Sequence, residues 1–203
     1  FLDYKNMGAS IIEISHRSKE FEAVINRCDE LVTELANVPS NYKILYVHGG
    51  AQMQFSAVPL NLINRNPSQK ASFVLTGTWA EKASKEAARY GNAVNIASSA
   101  DKNFSYIPDY DVSMLDTDSS YLHIVSNNTL FGTRWHEFPE TGDVPLVADM
   151  TSEFMSRKID ISKFGIIFAG LQKNLGPAGL ALVIIREDLL EHSQAHTPAL
   201  LQY

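Results

Sequence analysis

A single cysteine, Cys28, stands in a chain of 203 residues, and no apolar run approaches the length that crosses a bilayer. An intrachain disulfide is thereby excluded, which fits a reducing compartment and leads to the expectation of a cytoplasmic protein without membrane contact. Basic residues are in the minority: 17 Lys and Arg against 23 Asp and Glu leave a formal charge of -6, and no basic run offsets it. That balance argues against a nucleic-acid surface and leaves small anionic substrates dependent on individual arginines. Also missing are HExxH, paired Cys/His spacings, a Walker lysine and a GxGxxG turn, so no metal is predicted and no standard nucleotide loop. The chain opens on Phe1-Leu2-Asp3-Tyr4 with neither an initiator methionine nor a signal-peptide pattern. It stops on Leu200-Leu201-Gln202-Tyr203 outside any predicted helix or strand, and a piece of a longer protein is expected.

What the chain has is apolar periodicity, and its 45% apolar share can fill the core of one α/β domain. Phe21, Val24, Ile25, Cys28, Leu31, Val32 and Leu35 recur at helical spacing. Ser18 can cap that helix, Glu20 and Glu22 suit its positive end, and Val38-Pro39 stops it. Cys28 falls on the apolar stripe and is expected in the core. Ile44–Val47 then reads as a buried strand, followed by His48-Gly49-Gly50 and a helix perturbed by Pro59. The unit recurs as strand Phe73–Thr76, Gly77, a helix from Trp79 to Tyr90, and strand Val94–Ala97. Repeated βα units imply a largely parallel sheet covered on both sides. After an irregular excursion from Ser98 to Ser120, further strands are predicted at Tyr121–Val125, Arg134–Phe138, Val144–Ala148, Gly165–Ala169 and Gly179–Ile185.

Ligands of open α/β sheets sit beyond the carboxyl ends of the strands. The Gly49-Gly50-Ala51-Gln52 turn offers backbone N–H groups at a helix start, which suits a phosphate, although such turns are common. Trp79 offers a flat face for an aromatic ring, with a core position as the competing reading. Thr129, after Asn127-Asn128, can bond a ligand oxygen or simply close a turn. Asp149 ends a buried strand, where an unpaired charge is costly, and a pyridinium N–H would serve as its partner. Gln172 and Lys173 follow another strand. A desolvated lysine amine is a nucleophile toward carbonyls, whereas the bland reading is a solvated loop lysine. Together these supply a phosphate cradle, a ring platform, an acid for a ring nitrogen and a Schiff-base lysine, the requirements of pyridoxal 5'-phosphate (PLP). His123 and His136 are read as packing or surface residues, His192 and His196 as parts of a connecting segment, and Arg157 as half of an interior ion pair.

Glu13–Phe21, with His16-Arg17-Ser18, His48-Gly49-Gly50 with Gln54–Pro59, Asp149-Met150-Thr151-Ser152 and Ala169–Leu180 closely resemble the phosphoserine aminotransferase family of fold-type I PLP enzymes. The resemblance runs from about Leu2 to Tyr203. It implies a mostly parallel seven-stranded sheet with helices on both faces: a PLP-binding large domain over residues 1–203, lacking the family's N-terminal segment and small C-terminal domain. It implies transfer of an amino group from L-glutamate to 3-phosphohydroxypyruvate, giving O-phospho-L-serine and 2-oxoglutarate, by a cytoplasmic homodimer. It assigns Lys173 as the PLP lysine, Asp149 as the ring-nitrogen acid and Trp79 as the stacking residue. Thr129 and Gln172 become cofactor contacts, Ala51 and Gln52 the phosphate-cradle pair, and Arg17 with His16 the receiver of the substrate's distal anion. Gln52 and Met53 depart from the family, which more often has an arginine or small residue followed by glycine there. The competing assignments are another fold-type I activity, a cysteine desulfurase or an alanine-glyoxylate type aminotransferase, and a catalytically incompetent PLP-binding or structural remnant.

Overall fold

The computed structural model describes residues 2–203, which fall into two compact units, one ending at Pro39 and one from Ser40 to Tyr203. The first unit holds α1 (Lys19–Ala36). Its start follows the predicted capping: the Ser18 hydroxyl accepts from the Phe21 N–H, and Glu20 and Glu22 occupy the first turn. Asn37 closes it in the left-handed region, φ 53°, returning its N–H to the Thr33 carbonyl. The apolar stripe, however, is not core. No α1 residue is buried, Leu35 is 67% exposed, and Cys28 is half-buried, which corrects its expected interior position. Helical spacing places residues on one face but says nothing about what covers that face.

The second unit is built on seven strands: β1 (Tyr42–His48), β2 (Lys70–Leu75), β3 (Asn92–Ser98), β4 (Ser119–Val125), β7 (Leu146–Asp149), β8 (Ile166–Gly170) and β9 (Leu180–Arg186). Their order is β1-β9-β8-β7-β4-β2-β3. β9 runs antiparallel to both of its neighbours, and the remaining pairs are parallel. A separate small hairpin joins β5 (Asn127–Asn128) to β6 (Thr133–Arg134). The predicted strand from Arg134 to Phe138 therefore stops almost where it begins. Trp135 is buried and its N–H donates to the Ser126 carbonyl, while Arg157 Nη2 occupies the Trp135 carbonyl at 2.9 Å, so backbone groups that would extend a ladder are already taken.

Two helices, α2 (Gly50–Leu62) and α3 (Thr78–Ala87), pack on the sheet and touch each other. α2 is buried almost continuously from Gln54, which explains why it tolerates Pro59: side-chain burial, at roughly 1.5–3 kcal/mol per large apolar residue, outweighs one lost helical bond. Phe55 meets Phe168 edge-on at 6.2 Å, and Phe73 meets Tyr121 at 6.0 Å. His123 lies between Phe73 and Phe168, at 5.3 and 6.0 Å, and burial lowers its pKa to about 3, so it is a neutral packing residue as predicted. Arg157 forms its interior ion pair with Glu153, 2% exposed, at 2.7 Å. His136 is exposed on the surface.

Register fixes what the sheet edge presents. His48 pairs with Leu180, Gly170 with Ala181, Val125 with Asp149, and Asp149 with Phe168. The carboxyl ends of β1, β4, β7 and β8 and the start of β9 thus share one edge.

Candidate active site

At that edge lies a cavity of about 440 Å³, lined by Ala51, Gln52, Trp79, Thr129, Asp149, Gln172 and Lys173 together with other residues of the second unit. These seven residues, drawn from the ends of five strands, β1, β2, β5, β7 and β8, thus line one cavity.

The cradle begins with Gly49 and Gly50, both at positive φ, 84° and 61°. This reversal leads directly into α2, whose first N–H groups lack carbonyls of their own helix and bear its positive end. A Cβ on Gly49 would lie 2.5 Å from Met53 Cβ. The bulk of Met53 is therefore accommodated because Gly49 has no side chain. Gly49→Ala is expected to destabilise by about 2–4 kcal/mol, summing left-handed strain and overpacking, and urea unfolding checks it.

Asp149 closes β7, 5% exposed. Its Oδ1 accepts from the Thr151 N–H at 3.0 Å and the Thr151 hydroxyl at 2.6 Å. Burial pushes the carboxyl pKa up, and the two Thr151 bonds oppose that rise. The same hydroxyl accepts from the Gly170 N–H at 3.1 Å, tying the end of β7 to the end of β8. Thr151→Val keeps the shape and removes the hydroxyl. It should cost about 1–3 kcal/mol in chemical denaturation and raise the Asp149 pKa further, a shift readable by carboxyl-carbon NMR.

Lys173 rides on the loop between β8 and β9. Asn174 Nδ2 donates to the Phe154 carbonyl at 3.0 Å, and the Gly179 carbonyl accepts from Gly49 N–H at 2.9 Å, so this loop and the cradle are joined by a backbone bond. Lys173 itself is exposed and has no ion-pair partner among the described residues. This corrects the expected desolvation: the loop turns outward from the sheet and sets the amine at an open wall of the cavity. Trp79, half-buried in the first turn of α3, has the Lys82 ammonium 4.6 Å from its ring centroid. Thr129 is exposed on the turn after β5. His16 and Arg17 belong to the first unit, exposed on the turn that ends at Ser18.

The family model for class-V aminotransferases matches residues 1–199. The chain belongs to the class-V aminotransferase family. Within it, the chain is 48% identical over 202 residues to a phosphoserine aminotransferase of Lysinibacillus sphaericus, covering 100% of this chain and 55% of that protein. Its fold matches a phosphoserine aminotransferase from Bacillus circulans with a TM-score of 0.93 at 42% identity, over 100% of this chain and 56% of the other. A PLP-bound phosphoserine aminotransferase from Trichomonas vaginalis gives 0.90 at 35% identity, with the same 100% and 56% coverage. The chain spans about half the length of the curated relatives it matches. The resemblance read from the sequence motifs, and the mostly parallel seven-stranded sheet it implied, are thus borne out.

For this class-V aminotransferase the residue-by-residue reading left Thr151 and Ser152 without a role. Ser152 exchanges hydrogen bonds with Asn127, accepting from Nδ2 at 2.8 Å and donating to its carbonyl at 3.0 Å. The Asp-x-Thr spacing, a common local turn that satisfies its own carboxylate, was the available signal.

Proposed function

We propose that this chain is the cofactor-binding portion of a PLP-dependent aminotransferase that moves an amino group from L-glutamate to 3-phosphohydroxypyruvate, giving O-phospho-L-serine and 2-oxoglutarate in serine synthesis. The observation that carries the proposal is the shared cavity wall of Asp149, Lys173 and the α2 start. The donor set fits PLP: a buried carboxyl for a ring N–H, an exposed amine for an aldehyde, free helix N–H groups for a phosphate, and a half-buried indole for the ring.

When bound there, PLP supplies an electron sink for the substrate's α-carbon. Lys173 would hold the cofactor through its amine, and its Nζ would carry a proton to and from the substrate's reacting carbon. Asp149 holds the ring nitrogen's proton. Ala51 and Gln52 would hold the phosphate with support from Gln172, while Thr129 and Trp79 would hold the ring. Arg17 with His16 receives the substrate's distal carboxylate or phosphate, since a guanidinium fork suits both. The whole enzyme is read as a cytoplasmic homodimer.

The test adds PLP to the chain, removes the excess, and follows visible absorbance on addition of L-glutamate. A retained band that bleaches with glutamate is expected, and a chain that retains no cofactor sinks the proposal. Assay of the longer parent protein with phosphohydroxypyruvate then checks the acceptor.

A further inference from the structure

The segment that follows β9 returns to α2 and holds it near both ends. At the far end of the helix, the Leu60 carbonyl accepts from the Gln194 N–H at 2.9 Å and from the Thr197 hydroxyl at 3.2 Å. Asn61, 4% exposed, donates through Nδ2 to the Leu201 carbonyl at 2.6 Å and accepts from the Tyr203 N–H at 3.0 Å. The other hold is at the first turn. There the Tyr203 hydroxyl donates to Gln54 Oε1 at 2.6 Å, across 149 positions of sequence.

Gln54 is 1% exposed, and a buried amide carbonyl left without a donor costs about 1–3 kcal/mol. Tyr203 meets that need. Its ring packs on the apolar core, and burial pushes its hydroxyl pKa up, so the donor keeps its proton across the ordinary pH range. Of residues 50–54, Gln54 alone has a side-chain hydrogen bond among the described residues. It follows Ala51 and Gln52 by less than one helical turn, so any slide or rotation of α2 that breaks this bond also re-aims their N–H groups. Apolar contacts such as Phe55 on Phe168 are non-directional and tolerate a small slide, whereas a hydrogen bond weakens steeply with distance and angle.

We infer that Gln54 and Tyr203 are a positioning pair: their buried bond sets the rotation of α2 about its axis and so aims the Ala51 and Gln52 N–H groups at the phosphate they would hold. Neither residue lines the cavity, so both act through the helix. The service to PLP rests on the function proposed above, whereas the aim of the N–H groups is a property of the chain alone.

The full 203-residue chain is titrated with sodium phosphate, and binding is read from the backbone amide shifts of Ala51 and Gln52. Tyr203→Phe, which removes only the hydroxyl, should weaken phosphate about fivefold, the scale of one buried hydrogen bond. Thr197→Val is the control. It removes a hydroxyl of the same segment at the far end of α2, and should lower the urea midpoint as Tyr203→Phe does yet leave phosphate binding unchanged. Cofactor gives a second readout: Tyr203→Phe should weaken PLP about fivefold and leave pyridoxal, which has the aldehyde but no phosphate, as it was. Absence of saturation at Ala51 and Gln52 in the parent, or equal phosphate affinity in parent and Tyr203→Phe, overturns the positioning pair. So does an equal loss in Thr197→Val, or an equal loss of PLP and pyridoxal, since either marks a general loosening of the fold. A chain that binds phosphate through Ala51 and Gln52, loses it in Tyr203→Phe and retains no PLP keeps the pair and removes the aminotransferase reading.

Discussion

A Lys173→Ala chain mixed with PLP should leave a gel-filtration column colourless, where the parent retains a visible band. Of the groups in the cavity wall only the Lys173 amine can condense with an aldehyde, while the α2 start, Trp79 and Asp149 offer non-covalent holds. Because Lys173 is exposed and unpaired among the described residues, its removal takes nothing from the core. Circular dichroism and thermal midpoint should stay where they were, which separates a chemical loss from a folding defect. In the longer parent protein, turnover should fall by on the order of 10⁴-fold or more, the scale seen when a group that acts as nucleophile and proton carrier is deleted. Lys173→Arg should fail as well, since a guanidinium keeps its proton throughout the ordinary pH range. A band that survives in the alanine variant would place the attachment at another amine.

Asp149→Asn is expected to push stability and function in opposite directions. Burial raises the carboxyl pKa above its ordinary 3.8, so the folded chain holds this proton more tightly than the unfolded chain does. The sign follows directly: below 3.8 both states are protonated and the group contributes its full stability. As pH rises through the folded value that contribution is lost. The neutral amide escapes this loss, so the cofactor-free variant should be more stable than the parent near neutrality by roughly 1–3 kcal/mol, with the gap closing in acid. Urea unfolding at a series of pH values measures it. With PLP present the amide cannot hold the ring nitrogen's proton, so in the longer parent protein amino transfer should drop by about 10²–10³-fold. A variant no more stable than the parent at any pH would mean that Thr151 already compensates the buried charge in full.

The contrast between Asp149 and Thr151 shows what could be read from the chain alone. Asp149 stood out because a carboxylate directly after Val147-Ala148 breaks an apolar run, and the cost of burying it demands a partner. Thr151 did not stand out, since one of its partners, Gly170, lies on a different strand and only the folded register brings it near. The same limit applies to Arg134–Phe138, whose pattern suited a strand until Arg157, distant in sequence, occupied its carbonyls. Lys173 could be placed at a strand end from its neighbours. Its exposure depended on the course of the loop, which glycines and a proline leave open. On α1, caps were legible because they are local, whereas burial of the stripe was not.

β1 pairs with β9, so the first strand of the sheet to leave the ribosome must wait for the last before its ladder can form. Until then the β1 edge stands open beside a chain that is already rich in apolar strands, and closing it demands a long loop with a large entropic penalty. The strand pair that flanks the Lys173 loop is completed by that same closure, so nascent chains should acquire cofactor affinity only after β9 has emerged and should lean on chaperones before it.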